Sequence, residues 1–157
     1  MIHEISYERI SHYWKIYLWP ERYNSEDEIP KYNLESKDGY LYHVIKGINP
    51  RDIDLLIKPV YIAFYENHGI TGVLSGYNSN TDYFRIRGLW VDTNLRRQGI
   101  ASKMLKYFES NTNKKYIWSI PRESALPFYL NRGFKVTGEC CATVYGQTYF
   151  VRKQLCE

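Results

Sequence analysis

Arg96-Arg97-Gln98-Gly99-Ile100-Ala101-Ser102 puts two guanidinium groups, an amide and a residue without a Cβ where an apolar strand gives way to an amphipathic helix. Most helices begin with a Ser, Thr, Asp or Asn cap and carry acids in the first turn. Here the sign of the charge is reversed. The first N–H groups of a helix lack intrahelical partners, and the aligned peptide dipoles add partial positive charge there. A glycine lets an anion approach the backbone and the arginines add charge, a combination suited to a phosphate or pyrophosphate. A Walker loop requires Gly-Lys-Ser/Thr and a dinucleotide fingerprint requires three glycines; this segment has neither.

Other side chains carry weaker chemical signals. Tyr129 falls within a helical pattern, where the ordinary role is a core ring with a satisfied hydroxyl. Arg85 and Arg87 alternate on one strand and therefore point to one face, with Asp82 before them and Asp92 after. In the simplest reading they form an exposed charged stretch paired to those acids. His12, His43 and His68 have no partner at useful spacing and read as structural or surface residues. Cys140, Cys141 and Cys156 have no metal-type spacing, and the adjacent pair in an apolar run reads as buried, reduced strand residues. No metal site is expected.

The elements that must position these residues follow from periodicity. Tyr7, Ile10, Trp14 and Leu18 recur at helical spacing, with Ser6 as cap and Pro20 as terminator. Residues 21–49 are charged, rich in tyrosine and poorly periodic, which predicts a loop with room for a short helix. Val60–Glu66 and Ile70–Tyr77 read as a hairpin across Asn67-His68-Gly69, followed by a third strand over Tyr83–Val91. Ala101, Met104, Leu105 and Phe108 form the stripe of a helix starting near Gln98. A short buried strand over Tyr116–Ile120, a helix over Ser124–Asn131 closed by Gly133, and strands over Phe134–Thr143 and Tyr149–Leu155 complete the chain. A hairpin sheet followed by strand–helix–strand–helix–strand predicts one α/β domain over residues 1–157. Its sheet is mixed and mostly antiparallel, with six to seven strands flanked by helices.

Two motifs on these elements resemble the GNAT superfamily of acyl-CoA-dependent N-acetyltransferases. The first is that family's Arg/Gln-x-x-Gly-x-Gly/Ala cofactor motif after a long strand, here Arg96-Arg97-Gln98-Gly99-Ile100-Ala101 after Gly88-Leu-Trp-Val-Asp92. The second is Ala125-Leu-Pro-Phe-Tyr129, then Gly133-Phe134, then Gly138, in which a helix tyrosine precedes Gly-Phe. The resemblance covers about Val60 to Leu155. More loosely, Trp118-Ser-Ile-Pro-Arg-Glu-Ser124 and Leu18-Trp-Pro20 resemble acetyltransferase-like proteins of large tailed phages. The GNAT resemblance implies acetyl-CoA as donor, with Leu89, Trp90, Val91, Arg96, Arg97, Gln98, Gly99, Ile100, Ala101, Ser102 and Ser124 at the cofactor. It also implies direct transfer to an amine, with Tyr129 as general acid to the CoA thiolate. A phenol of pKa about 10 remains protonated at neutral pH and can serve that role.

The chain departs from the family on the third strand. Many relatives carry a glutamate there that helps deprotonate the amine, whereas this chain has Arg85 and Arg87. On the resemblance, both would face an anionic portion of the acceptor. Trp19, Arg22, Tyr23 and the Tyr145-Gly-Gln147 turn fall where the family places its acceptor. No general base is assigned; Glu66, Glu139 or the Glu26-Asp27-Glu28 segment could end a water chain. The alternative reading is a CoA-binding interaction or regulatory module with little turnover.

Composition bounds the partners. A net charge of +4 over 157 residues fits an anionic ligand but argues only weakly for nucleic acid. Sixteen tyrosines supply amphipathic rings for pockets; the GNAT resemblance implies an amine acceptor, whether small molecule, peptide or protein. No apolar run approaches membrane-spanning length and Met1–Ile5 is no signal peptide, so a cytoplasmic monomer or homodimer is expected, with no membrane partner.

Overall fold

A computed structural model describes residues 1–21, 55, 57–79, 81–96 and 98–155. The expected loop over 21–49, with Arg22, Tyr23 and the acidic 26–28 segment, lies outside the described residues except for Glu21. So do His43, Arg97 and Cys156.

Seven strands form one sheet in the order β1-β2-β3-β4-β5-β7-β6. They are β1 (Ile2–Glu4), β2 (Val60–Glu66), β3 (Gly69–Asn78), β4 (Tyr83–Val91), β5 (Tyr116–Ser119), β6 (Lys135–Thr143) and β7 (Gly146–Gln154). Helices described in full are α1 (Tyr7–Tyr13), α2 (Ile100–Asn111) and α3 (Leu126–Leu130). β4 and β5 pair in parallel, while β1 with β2, β2 with β3, β5 with β7 and β6 with β7 are antiparallel. The expected α/β class with a mixed, mostly antiparallel sheet is the one observed. Among the described residues no helix is long and apolar enough to cross a membrane.

Contacts divide the chain into two compact units. The first contains the N-terminal helix with 58–77 and 86–112, the second 78–85 with 113–155. In the first, Ser6 caps α1 by accepting from the Arg9 N–H, as its position predicts. The chain then continues as a π-helical turn over Trp14–Leu18, in which the Trp19 N–H donates to the Trp14 carbonyl. Helical spacing alone does not anticipate this i→i+5 turn. It brings the Trp14 and Trp19 rings to 5.3 Å from one another. Ile10, Trp14, Tyr61, Ala63, Ile70, Val73 and Trp90 form the core cluster of this unit. Ile100, Met104, Leu105 and Phe108 are the buried stripe of α2, and a Cβ at Gly72 of β3 would lie 2.9 Å from the Met104 side chain. A glycine there lets the helix seat closely on the sheet.

The fully buried Trp14 indole donates to the Gly88 carbonyl at 2.8 Å. Gly88 has φ +75°, and a Cβ there would sit 2.3 Å from the indole nitrogen. Gly88→Ala therefore combines left-handed strain with overlap against an immobile ring. A stability loss of about 3 kcal/mol or more is expected, read from denaturant midpoints against wild type. A loss below about 1 kcal/mol would mean that the strand and indole relax apart freely.

In the second unit, Tyr83 of β4 stacks on Tyr116 of β5 at 4.7 Å, and Arg152 of β7 donates to the Tyr83 hydroxyl at 2.7 Å. Trp118 is fully buried and donates to Ser79 at 2.8 Å. The β6–β7 hairpin turns across Val144 and Tyr145, and its register shifts twice along β6.

Candidate active site

The segment expected to bind an anion lies in the first unit. Asp92 ends β4; its N–H donates to the Thr71 carbonyl at 2.8 Å, and its carboxylate caps the Asn94 N–H at 3.0 Å. A single 3₁₀ turn over Thr93–Leu95 follows. Arg96 is exposed, and its Nε donates back to the Val91 carbonyl at 3.1 Å, which ties the arginine to the end of the strand.

Helix α2 begins at Ile100, two residues after the expected Gln98, because Gly99 takes the left-handed conformation at φ +80°. Lys103 donates the first intrahelical bond, to the Gly99 carbonyl, so the N–H groups ahead of it have no i−4 carbonyl in the helix. No side chain caps this end and its first turn holds no acid. A Cβ built at Gly99 would meet nothing within 4 Å, so the space over this backbone is open. An open helix start with no side-chain cap and no acid in its first turn suits a pyrophosphate, which fits the coenzyme that the motif implies.

Leu89 is half-buried, and Trp90 and Val91 are buried. The Trp90 ring stacks on Tyr17 at 4.6 Å and packs on Tyr13 at 5.4 Å. Its side chain therefore serves the packing of α1. Arg87, also in this unit, has its guanidinium 5.2 Å from the Trp14 ring centre and 4.9 Å from that of Trp19. The π-helical turn that brings these two indoles together builds this cation–aromatic seat, which spacing could not show.

In the second unit, Tyr129 on α3 is 4% exposed. Phe128 and Phe134 meet its ring edge-on, each at 5.2 Å. Burial raises its phenol to about 12; a hydrogen bond with the Ser119 side chain and the positive charge of Arg85 each pull in the opposite direction. Ser119 is a partner that sequence reasoning missed; its only sign was a serine ending an apolar strand.

Arg85 is 6% exposed, with its guanidinium 4.9 Å from the Trp118 ring centre. The solvated reading of the β4 arginines fails for Arg85. Arg85 lies within the buried run Phe84–Ile86 of β4, a strand none of whose residues is exposed. The acids flanking the strand have other contacts: Asp82 lies 3.9 Å from Lys115, and Asp92 caps Asn94.

Ser124 is exposed, within a 3₁₀ turn over Glu123–Ala125, so α3 begins later than expected, at Leu126. Tyr145 is half-buried, and the Arg122 guanidinium lies 4.1 Å from its ring centre. One face of that ring thus already carries a cation. His12 and His68 are exposed, as surface residues should be. The cysteine pair departs from expectation: Cys141 is exposed and Cys140 only half-buried, because β6 is an edge strand of the sheet.

The sequence model of the "Acetyltransferase (GNAT) domain" matches residues 58–136, just over half of the chain. The chain belongs to the GNAT acetyltransferases. It is accordingly an acyl-CoA-dependent N-acetyltransferase of a family that uses acetyl-CoA. The matched span runs from just before β2 into β6; it includes the first motif whole and the second as far as Gly133-Phe134, ending before Gly138.

Solved structures agree with the fold. A GNAT-family acetyltransferase from Staphylococcus aureus Mu50 is similar at TM-score 0.65 and 16% identity, with 99% of each chain covered. An aminoglycoside 6′-N-acetyltransferase complexed with coenzyme A is similar at TM-score 0.67 and 12% identity, covering 100% of this GNAT chain and 98% of the other. An IAA acetyltransferase from Bacillus cereus is similar at TM-score 0.58 and 14% identity, with 98% of each covered. No curated protein sequence matches the chain.

Proposed function

We propose that the whole chain, 1–157, acts as one acetyltransferase domain that moves an acetyl group from acetyl-CoA directly to an amine acceptor. Tyr129 is the proton donor to the departing sulfur. The observation that carries this reading is the buried Tyr129 phenol, held by Ser119 and facing the charge of Arg85. The coenzyme supplies an activated thioester.

The chain's own contributions are separable. The backbone amides from Gln98 to Ser102, with Arg96 and Arg97, hold the pyrophosphate through dipole and charge. Leu89, Trp90 and Val91 pair through their backbone with the pantetheine arm, and Ser124 adds a polar contact to the coenzyme. A phenol near 12 is fully protonated at neutral pH. It is therefore available as the general acid, donating to the sulfur as negative charge grows there. Arg85 is a fixed positive charge beside that hydroxyl.

On the acceptor side, Arg87, with Trp19, reads an anionic portion of the amine-bearing molecule, and Tyr145 is a further candidate contact for the acceptor. The acceptor is a small molecule, peptide or protein amine. Nucleic acid is the weaker alternative, because it rests only on these arginines and the mild basic charge.

Coenzyme A thiol release, measured with a panel of neutral, cationic and anionic amines, tests the reading. Arg85 is buried, so Arg87→Gln is the informative change. It should raise KM for a carboxylated or phosphorylated acceptor about tenfold, the scale of one charge-assisted hydrogen bond. It should leave the coenzyme A Kd within about twofold. A large loss of coenzyme affinity would place Arg87 on the cofactor's phosphates. Absence of turnover across the panel would leave a coenzyme-binding module.

A further inference from the structure

In a regular strand adjacent side chains point to opposite faces, so neighbouring cysteines do not cooperate. β6 breaks that rule at one place. Glu139 pairs with Tyr149 and Ala142 with Gln147, which leaves Cys140 and Cys141 opposite the single residue Thr148. Two residues facing one is a β-bulge, and it re-aims the side chains of the bulged strand. Thr148 fixes it: the Cys141 N–H donates to its Oγ1 at 3.2 Å, and that hydroxyl donates to the Cys141 carbonyl at 2.8 Å. Thr148 is buried. The result is two thiols, neither in a disulfide, with their Sγ atoms 3.7 Å apart on an edge strand, Cys141 exposed and Cys140 half-buried.

We propose that Cys140 and Cys141 form a dithiolate chelate for a soft, thiophilic divalent cation. Distances decide between this and a disulfide. A disulfide requires the sulfurs to close to about 2.05 Å, and Cα atoms are usually at least about 4.4 Å apart. Adjacent Cα atoms across a trans peptide are only about 3.8 Å apart. Two thiolates on a tetrahedral ion, each with a metal–sulfur bond of about 2.3 Å, lie about 3.8 Å apart. The observed separation matches the chelate with almost no movement.

Thiolates select Zn²⁺ and its soft congeners over hard cations. Among the described residues no three His, Cys, Asp or Glu side chains gather as a metal site. The chain thus supplies two ligands, and solvent or an added thiol completes the coordination. On binding, each thiol gives its proton to buffer, two sulfur–metal bonds form, two waters leave the ion, and nothing is oxidised.

Cd²⁺ titration of the full chain, followed by thiolate-to-metal charge-transfer absorption and by proton release, tests the site. One ion per chain and two protons released are expected. Cys140→Ser and Cys141→Ser should each weaken binding at least about tenfold, since a chelate needs both sulfurs. Cys156→Ser should leave it unchanged. Both substitutions on β6 are at solvent-accessible positions, and unaltered circular dichroism confirms that the folds remain comparable. Full binding in either single β6 variant, loss of binding in Cys156→Ser, or one ion shared between two chains would each overturn the proposal.

Discussion

Gly99→Glu should abolish coenzyme A binding in a protein that remains folded. A Cβ at position 99 meets nothing within 4 Å, so the added side chain displaces no part of the core. It projects instead into the open space over the start of α2, where the pyrophosphate would approach. The glutamate blocks that approach and adds a like charge beside a polyanion. The expected rise in Kd is at least about 100-fold, equivalent to about 2.7 kcal/mol, and calorimetry reads it directly.

Backbone strain is a separate contribution, because φ at Gly99 is +80° and an L-residue there costs about 1–2 kcal/mol. Gly99→Ala carries that strain without the charge or length. It should lower the melting temperature by as much as Gly99→Glu does while retaining most of the affinity. Unchanged coenzyme affinity in folded Gly99→Glu protein would remove the helix start from the cofactor site.

Tyr129→Phe should lower turnover by about 100-fold or more, the usual scale for an acid–base group, with coenzyme affinity nearly unchanged. The phenyl ring keeps the edge-on contacts with Phe128 and Phe134, so packing is preserved. The hydrogen bond with Ser119 is lost, at a cost of about 1 kcal/mol in stability. Ser119→Ala removes that same bond but keeps the phenol, and should retain most of the turnover.

The raised phenol pKa adds an alkaline signature. The folded-state value is about 12, and an unfolded tyrosine titrates near about 10. Below pH about 10 the group is protonated in both states and stability does not depend on it. Between pH about 10 and 12 the unfolded chain loses this proton while the folded chain keeps it, so wild-type stability falls by roughly 3 kcal/mol more than that of Tyr129→Phe. The same difference means that ionisation of Tyr129 cannot cause a fall in rate near pH 9. Wild-type turnover in Tyr129→Phe would leave this residue an ordinary core tyrosine.

Much of the architecture was legible because its signals are local. The β2 and β4 boundaries follow from apolar runs bounded by turn residues, and the α2 stripe from 3.6-residue spacing. The helix start at Gly99 combines a missing Cβ, basic neighbours and no acid, all of which are covalent neighbours in the chain. Tyr129 stood out only because its distance from Gly133-Phe134 resembled a family pattern. β1 was not legible: three residues carry too little alternation to register, and the strand exists because Ile2, His3 and Glu4 pair with Phe64, Ala63 and Ile62 far along the chain.

What the sequence by itself determined about this GNAT acetyltransferase is the glycine-led start of α2, the order of the elements from β2 onward and the family to which they belong. The tertiary structure alone decided which groups meet. Arg85 is buried over Trp118, Arg87 sits on the two indoles that a π-helical turn brings together, and Ser119 reaches the Tyr129 hydroxyl. The paired cysteines are the sharpest case. Strand alternation separates their side chains, yet a bulge set by the register of β6 against β7, and locked by Thr148, brings the sulfurs together. Periodicity reports the face on which a residue stands; register and burial arise from pairing between distant segments, and no local window of sequence contains them.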